Sequence, residues 1–177
     1  CCTSGSAALN YAPAISEAYY QHIPLLVITS DRPAKWLNNG EGQMIDQVNV
    51  FQNYIHNNYS LSSDENDENT SKWETEINSA LNNVKAIANN TVHLNIPFEE
   101  PLYDTIAVGD AYIPKYSPES RERPTLTDTE FKVISNKWTK ANRILILCGV
   151  LEKSTELNNL LKQINENCAV TILTEST

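Results

Sequence analysis

Short branched apolar runs alternate along this chain with stretches in which apolar side chains return every third or fourth position, the pattern of strands and helices taking turns. "PLLVITS" at 24–30 is a continuous apolar run, which predicts a strand covered on both faces and therefore a parallel sheet. Before it, residues 4–22 predict a helix: Ser4 is placed to cap it, and Leu9, Ala12, Ile15 and Tyr19 share one side. Pro13 falls inside that pattern, so a kink or a broken first turn is expected. "MIDQVNVFQ" reads as a short amphipathic piece and "YIHNNYSL" as a second strand. Ser71 and Glu74 have the spacing of a capping box, opening a helix with Trp73, Ile77, Leu81, Val84 and Ala88 on its apolar face. In "TVHLNIPF", Val92, Leu94 and Ile96 fall on one face of a strand, with His93 and Asn95 on the other.

From Glu99 to Thr125 the periodicity stops, and Pro101, Gly109, Pro114, Pro118 and Pro124 punctuate a linker, set at 105–126. The pattern restarts with a capping box from Thr127 to Glu130 and a helix carrying Phe131, Ile134 and Trp138. "RILILCGV", a helix with Leu157, Leu160, Leu161 and Ile164, and "AVTILTES" then form a strand, helix, strand unit expected to be parallel and right-handed. The expectation is an α/β chain in two parts, 1–104 and 127–177.

Composition narrows the function. The 177 residues, 41% hydrophobic with 5 glycines, are an ordinary globular mixture. A net charge of −9 with scattered basic residues gives no footprint for a nucleic-acid backbone. No apolar run approaches the roughly 20 residues of a membrane span. The beginning lacks the basic flank and apolar core of a signal peptide, so the expected location is cytoplasmic. Cys1, Cys2, Cys148 and Cys168 have no C-x-x-C spacing, and His22, His56 and His93 share no motif with them, so the cysteines read as buried or half-buried thiols and no metal site is assigned. The acid run at 64–68 reads as a solvated loop.

Two places carry chemistry. A helix starting at Ser4-Gly5-Ser6 offers N–H groups, two hydroxyls and the positive end of a dipole, which suits an anion or a polar heterocycle as well as plain capping. Arg32, placed by Pro33 at the carboxyl end of a buried strand, lies where open α/β sheets bind ligands. Its fork can grip a carboxylate by two bonds, and the structural alternative is a salt bridge to Asp31 or Asp46. The long turn-rich segment "DRPAKWLNNGEGQMIDQ" is of the kind that carries function, and Gln43 within it can present an amide. His93 reads as a satisfied sheet histidine, and the Cys148-Gly149 turn, lacking G-x-G-x-x-G, as structural.

Three blocks in order, "TSGSAALNYAPAISEAYYQHIPLLVITSDRP", "GEGQMIDQVNVF" and "VHLNIPFEEPL", resemble the thiamine-diphosphate enzyme family of menaquinone biosynthesis, the 2-succinyl-5-enolpyruvyl-6-hydroxy-3-cyclohexene-1-carboxylate synthases. The resemblance covers residues 1 to about 104, and the remainder looks like the start of that family's central domain. It implies a pyrimidine-binding domain with a parallel sheet, lacking its N-terminal part, followed by the beginning of a Rossmann-like domain. The implied reaction decarboxylates 2-oxoglutarate on thiamine diphosphate and adds the succinyl unit to isochorismate, with Mg2+ holding the diphosphate, in a homo-oligomer whose subunits share the active site.

By the same resemblance Ser6 matches a threonine near the cofactor, Gln43 a glutamine facing cofactor and substrate, and Arg32 an arginine holding a substrate carboxylate. Asn10 matches a residue on the pyrimidine side. Serine in place of the commoner threonine at position 6, and Gly42 where some relatives have asparagine, are the departures. The family's activating glutamate lies upstream of the Thr-Ser-Gly turn and its Gly-Asp-Gly metal motif downstream, so the chain reads as an internal stretch, expected inactive by itself. A related thiamine-diphosphate decarboxylase or acetolactate synthase, and a non-catalytic α/β ligand-binding domain, are the alternative readings.

Overall fold

The computed structural model describes residues 1–37, 39–64, 66–86, 90–99, 103, 115–119, 125–151 and 153–175. The chain forms two compact units, Cys1–Arg123 and Pro124–Thr177.

In the first unit, β1 (Leu25–Asp31), β2 (Asn57–Ser60) and β3 (Thr91–Pro97) make a parallel sheet in the order β1-β3-β2. Cys2 adds a bridge on the free side of β1, its N–H donating to the Ile28 carbonyl and its carbonyl accepting from Ser30, both at 2.9 Å. The register places Val27 beside His93 and Thr29 beside Asn95, and Asn58 beside His93, so these side chains share one face of the sheet. That face is covered by the N-terminal helix: Ala8, Ile15, Val27, Phe51 and Ile55 form the apolar core, and the Phe51 and His93 rings meet edge to face at 5.1 Å. The opposite face, with Tyr59, Val92 and Leu94, meets α2 (Asp67–Val84), whose Asn83 amide donates to the Tyr59 hydroxyl at 2.6 Å.

Local chemistry shifts several predicted elements. The first helix opens as a 3-10 segment, Gly5–Tyr11, and becomes the α-helix α1 only at Ala12–Tyr20. Pro13 explains the change: it has no N–H to give to the carbonyl four residues back, and that Leu9 carbonyl is taken by Ala12 instead. Ser4 stands at the cap position, but its side chain makes no capping bond. The expected amphipathic piece at 44–52 is a series of turns followed by a 3-10 turn, Gln52–Tyr54. Asp46 sets them, its carboxylate accepting the Val48 N–H at 3.2 Å.

α2 begins earlier than its Ser71-Glu74 signal: Asn66 is the cap, accepting the Asn69 N–H at 2.8 Å, and Ser71 lies inside the helix. Glu68, read as loop, thus falls in the first turn, where the positive end of the helix dipole favours acids. Ala88 and most of the segment at 105–126 lie outside the described residues. Residues 115–119 run along α2, where the Ser117 N–H donates to the Asn78 side-chain oxygen at 2.8 Å and the Asn82 amide donates to the Ser117 carbonyl at 3.0 Å.

In the second unit, α3 (Asp128–Lys140) carries the full reciprocal capping box of Thr127 and Glu130. β4 (Ile144–Cys148) and β5 (Val170–Thr174) pair in parallel, joined through α4 (Thr155–Asn167). The cysteine expectation needs one correction: Cys1 and Cys168 are exposed, Cys168 because it stands at the C-cap of α4.

Candidate functional site

At the carboxyl ends of β1 and β3 the segment 40–50 folds back onto the start of the first helix. The Ser6 N–H donates to the Gln43 carbonyl at 2.8 Å, and the Gly5 N–H donates to Gln47 Oε1. Both N–H groups that the sequence offered to an anion are therefore already used, which corrects that expectation. Gly5 has φ +87°, and a Cβ there would overlap the Gln43 carbonyl oxygen, so only glycine permits this approach. Gln43 itself has φ +65°, a left-handed conformation that a residue with a side chain adopts at some cost. The result is that Ser6 and Gln43 stand together with exposed side chains, a hydroxyl and an amide. Asn10 is exposed one turn further along the 3-10 segment and donates to its own Ala7 carbonyl at 3.2 Å.

Arg32 follows β1 directly. Its backbone N–H donates to Asp31 Oδ1 at 2.8 Å, and Asp31 Oδ2 accepts from the Asn95 amide at 2.7 Å, so Asp31 is occupied and does not pair with the Arg32 guanidinium. Asp46 does not pair with it either; the acid nearest Arg32 Nε is Glu41, at 3.8 Å across the loop, and Nε has no hydrogen-bond partner. The Arg32 side chain is three-quarters covered, and its buried Nε makes no hydrogen bond, a donor left without the acceptor that a carboxylate would provide.

Behind these residues runs a buried polar ladder. Thr29 Oγ1 donates to Asn95 Oδ1 at 2.7 Å and lies 2.8 Å from His93 Nε2, while His93 Nδ1 lies 2.8 Å from Asn58 Oδ1. Gln47 Nε2 donates to Asn95 Oδ1 at 3.0 Å and to the Ser30 carbonyl at 2.9 Å. Thr29, Gln47, Thr91 and His93 are fully buried, and burial holds the His93 ring neutral with a pKa lowered to about 4. His93 is thus a satisfied sheet histidine, as its setting in the sequence indicates. Among the described residues no group of three or more His, Cys, Asp and Glu is placed to hold a metal, and no helix is long and apolar enough to cross a membrane.

Sequence reading missed Gln47, Asn95, Asp31 and Thr29. The available signal was polar residues at alternate positions, Thr29 and Asp31 at the end of a strand read as covered on both faces and His93 and Asn95 on one face of another. Only the fold shows that these polar positions line up.

Residues 1–50 match the family described as "Thiamine pyrophosphate enzyme, N-terminal TPP binding domain". Three relatives carry the name 2-succinyl-5-enolpyruvyl-6-hydroxy-3-cyclohexene-1-carboxylate synthase. The one from Christiangramia forsetii is 39% identical over 99% of this chain and 33% of its own length. That from Flavobacterium johnsoniae is 36% identical over 99% of this chain and 31% of its own. That from Desulfotalea psychrophila is 35% identical over 99% and 33%. The chain spans about a third of the length of the relatives it matches.

Proposed function

We propose, from the premise that this chain belongs to the 2-succinyl-5-enolpyruvyl-6-hydroxy-3-cyclohexene-1-carboxylate synthase family of thiamine-diphosphate enzymes, that its complete protein joins the succinyl unit of 2-oxoglutarate to isochorismate in menaquinone biosynthesis. The observation that carries this reading is the pairing of Ser6 with Gln43 at the carboxyl end of a parallel sheet, inside the residues that match the thiamine domain.

A hydroxyl and a primary amide, both uncharged, fit the pyrimidine half of thiamine diphosphate, with Asn10 adding a second amide on the same helix start. The described residues supply no acidic cluster for Mg2+, so in this reading the metal and the diphosphate are held elsewhere in the protein, and the 177 residues alone turn over nothing. When bound, the cofactor supplies the electron sink that decarboxylation needs. The residues of this chain bind and orient: Gln43 faces both cofactor and substrate, and Arg32 grips a substrate carboxylate through two parallel N–H···O bonds. Asp31 fixes the backbone from which Arg32 projects. The reading further takes the enzyme to be a cytoplasmic homo-oligomer with active sites shared between subunits. The division at 1–104, 105–126 and 127–177 into pyrimidine domain, linker and start of the central domain belongs to the same reading.

The full-length protein, given 2-oxoglutarate, isochorismate, thiamine diphosphate and magnesium, is expected to form the named carboxylate product. Arg32→Ala is expected to lower kcat/KM roughly 100-fold, the loss of a charge-assisted bidentate pair. A folded, cofactor-loaded protein that forms no product would overturn the reading and favour a related decarboxylase or a binding domain.

A further inference from the structure

Gln47 occupies an unusual position for a glutamine: its side chain is fully buried, and both ends of its amide are used. Oε1 accepts the Gly5 N–H, while the two Nε2 hydrogens go to the Ser30 carbonyl at the end of β1 and to Asn95 Oδ1 on β3. One side chain therefore ties the helix start to two strands. Its own backbone lies four residues beyond Gln43, whose carbonyl receives the next N–H, that of Ser6. The segment 43–47 is thus pinned to Gly5-Ser6 at both ends, and it holds Gln43 in its left-handed conformation over a glycine that also has positive φ. The chain of contacts continues from Asn95 to Asp31 and from Asp31 to the Arg32 backbone.

We propose that Gln47 is a positioning residue of the synthase site: through Gly5 it sets Ser6 and Gln43, and through Asn95 and Asp31 it ties them to Arg32. This rests on the function proposed above for those three residues. Gln47 touches neither cofactor nor substrate in this account. A buried amide that satisfies three partners of fixed direction is over-determined, and removing it leaves a buried N–H, a carbonyl and an asparagine oxygen short of a partner.

The test uses the full-length protein with Gln47→Met, which keeps the volume and removes the bonds, and Gln47→Glu, which keeps an acceptor for Gly5 while losing donors when ionised. Two readouts are taken. Hydrogen–deuterium exchange followed by mass spectrometry on peptides covering Gly5 and Ser6 is expected to accelerate at least tenfold in Gln47→Met, with the β3 peptides unchanged. Per folded, cofactor-loaded molecule, kcat is expected to fall at least tenfold in Gln47→Met. Gln47→Glu is expected to recover part of that loss as pH is lowered and its carboxyl regains a donor hydrogen, a recovery that Gln47→Met lacks. If Gln47→Met does not fold, Gln47→Glu carries both readouts across the pH range.

Unchanged exchange at Gly5 and Ser6 overturns the positioning role, and so does faster exchange with kcat and KM within twofold of the unsubstituted protein. Should the unsubstituted protein itself form no product, the synthase reading fails, and the exchange measurement alone decides whether Gln47 sets the turn.

Discussion

The orientation of one asparagine requires a hydrogen on one ring nitrogen of a histidine two side chains away. Asn95 must turn Nδ2 to the Asp31 carboxylate, which leaves Oδ1 facing both the Gln47 amide and the Thr29 hydroxyl. Thr29 has a single hydrogen and gives it to Asn95, so it can only accept from His93 Nε2–H. A neutral ring protonated on Nε2 accepts at Nδ1, whereas the atom 2.8 Å from Nδ1 is Asn58 Oδ1, so the neutral ring requires the Asn58 amide turned end for end, with its NH2 toward the ring. Burial disfavours the charged ring and lowers its pKa to about 4. In the unfolded chain the ring binds its proton near the ordinary 6.5, so between pH 6.5 and 4 the unfolded state holds more protons. Unfolding free energy should therefore fall as pH drops through that window, by on the order of 3 kcal/mol in total, with no contribution from this group to the slope above it. Urea unfolding from pH 7.5 to 4 checks this against His93→Gln, in which that part of the slope is expected to vanish.

At the scale of elements, the signals that worked were those settled by neighbouring residues. β1 follows from an uninterrupted branched run, β3 from alternation of apolar and polar positions, and the α3 start from the Thr127-Glu130 pair, because cap donor and acceptor lie three residues apart. Thr127→Ala in α3 and Asn66→Ala in α2 are each expected to destabilise their own helix by about 1 kcal/mol, read as a shift in the urea midpoint of helical circular dichroism. Where the sequence misled, a local bond outcompeted the period: Asp46 replaced the expected amphipathic piece with a turn, whereas the break expected at Pro13 is present as the 3-10 opening of the first helix. Arg32 and Ser6 could be singled out because each stands at the end of an element, and Gln43 because it lies in a long turn-rich segment, with the resemblance pointing to all three. Gln47 was not, since its partners at Gly5 and Asn95 are 42 and 48 residues away, and only the parallel register brings them together. A polar residue whose worth depends on three distant groups carries no mark in its own neighbourhood.

For the whole molecule, the two units differ in how their strands are protected. In the first, β3 is hydrogen-bonded to strands on both sides, and its residues Thr91 to Asn95 are buried on both faces of the sheet. In the second, β4 and β5 have only each other among the described residues, none of the described residues from 125 to 175 is buried, and Leu145, Leu147 and Leu173 are more than half exposed. A two-stranded pair with little apolar burial opens at small free-energy cost, whereas amides of a covered central strand exchange only through larger openings. Hydrogen exchange on the full-length protein should accordingly rank Val92, Leu94 and Val27 slowest, with β4 and β5 amides exchanging at least tenfold faster, a difference of about 1.4 kcal/mol in opening free energy. Equal protection in both units would show that β4 and β5 are covered by chain beyond the described residues or by another subunit. Repeating the measurement across protein concentrations separates these two, because only subunit association makes the protection of β4 and β5 rise with concentration.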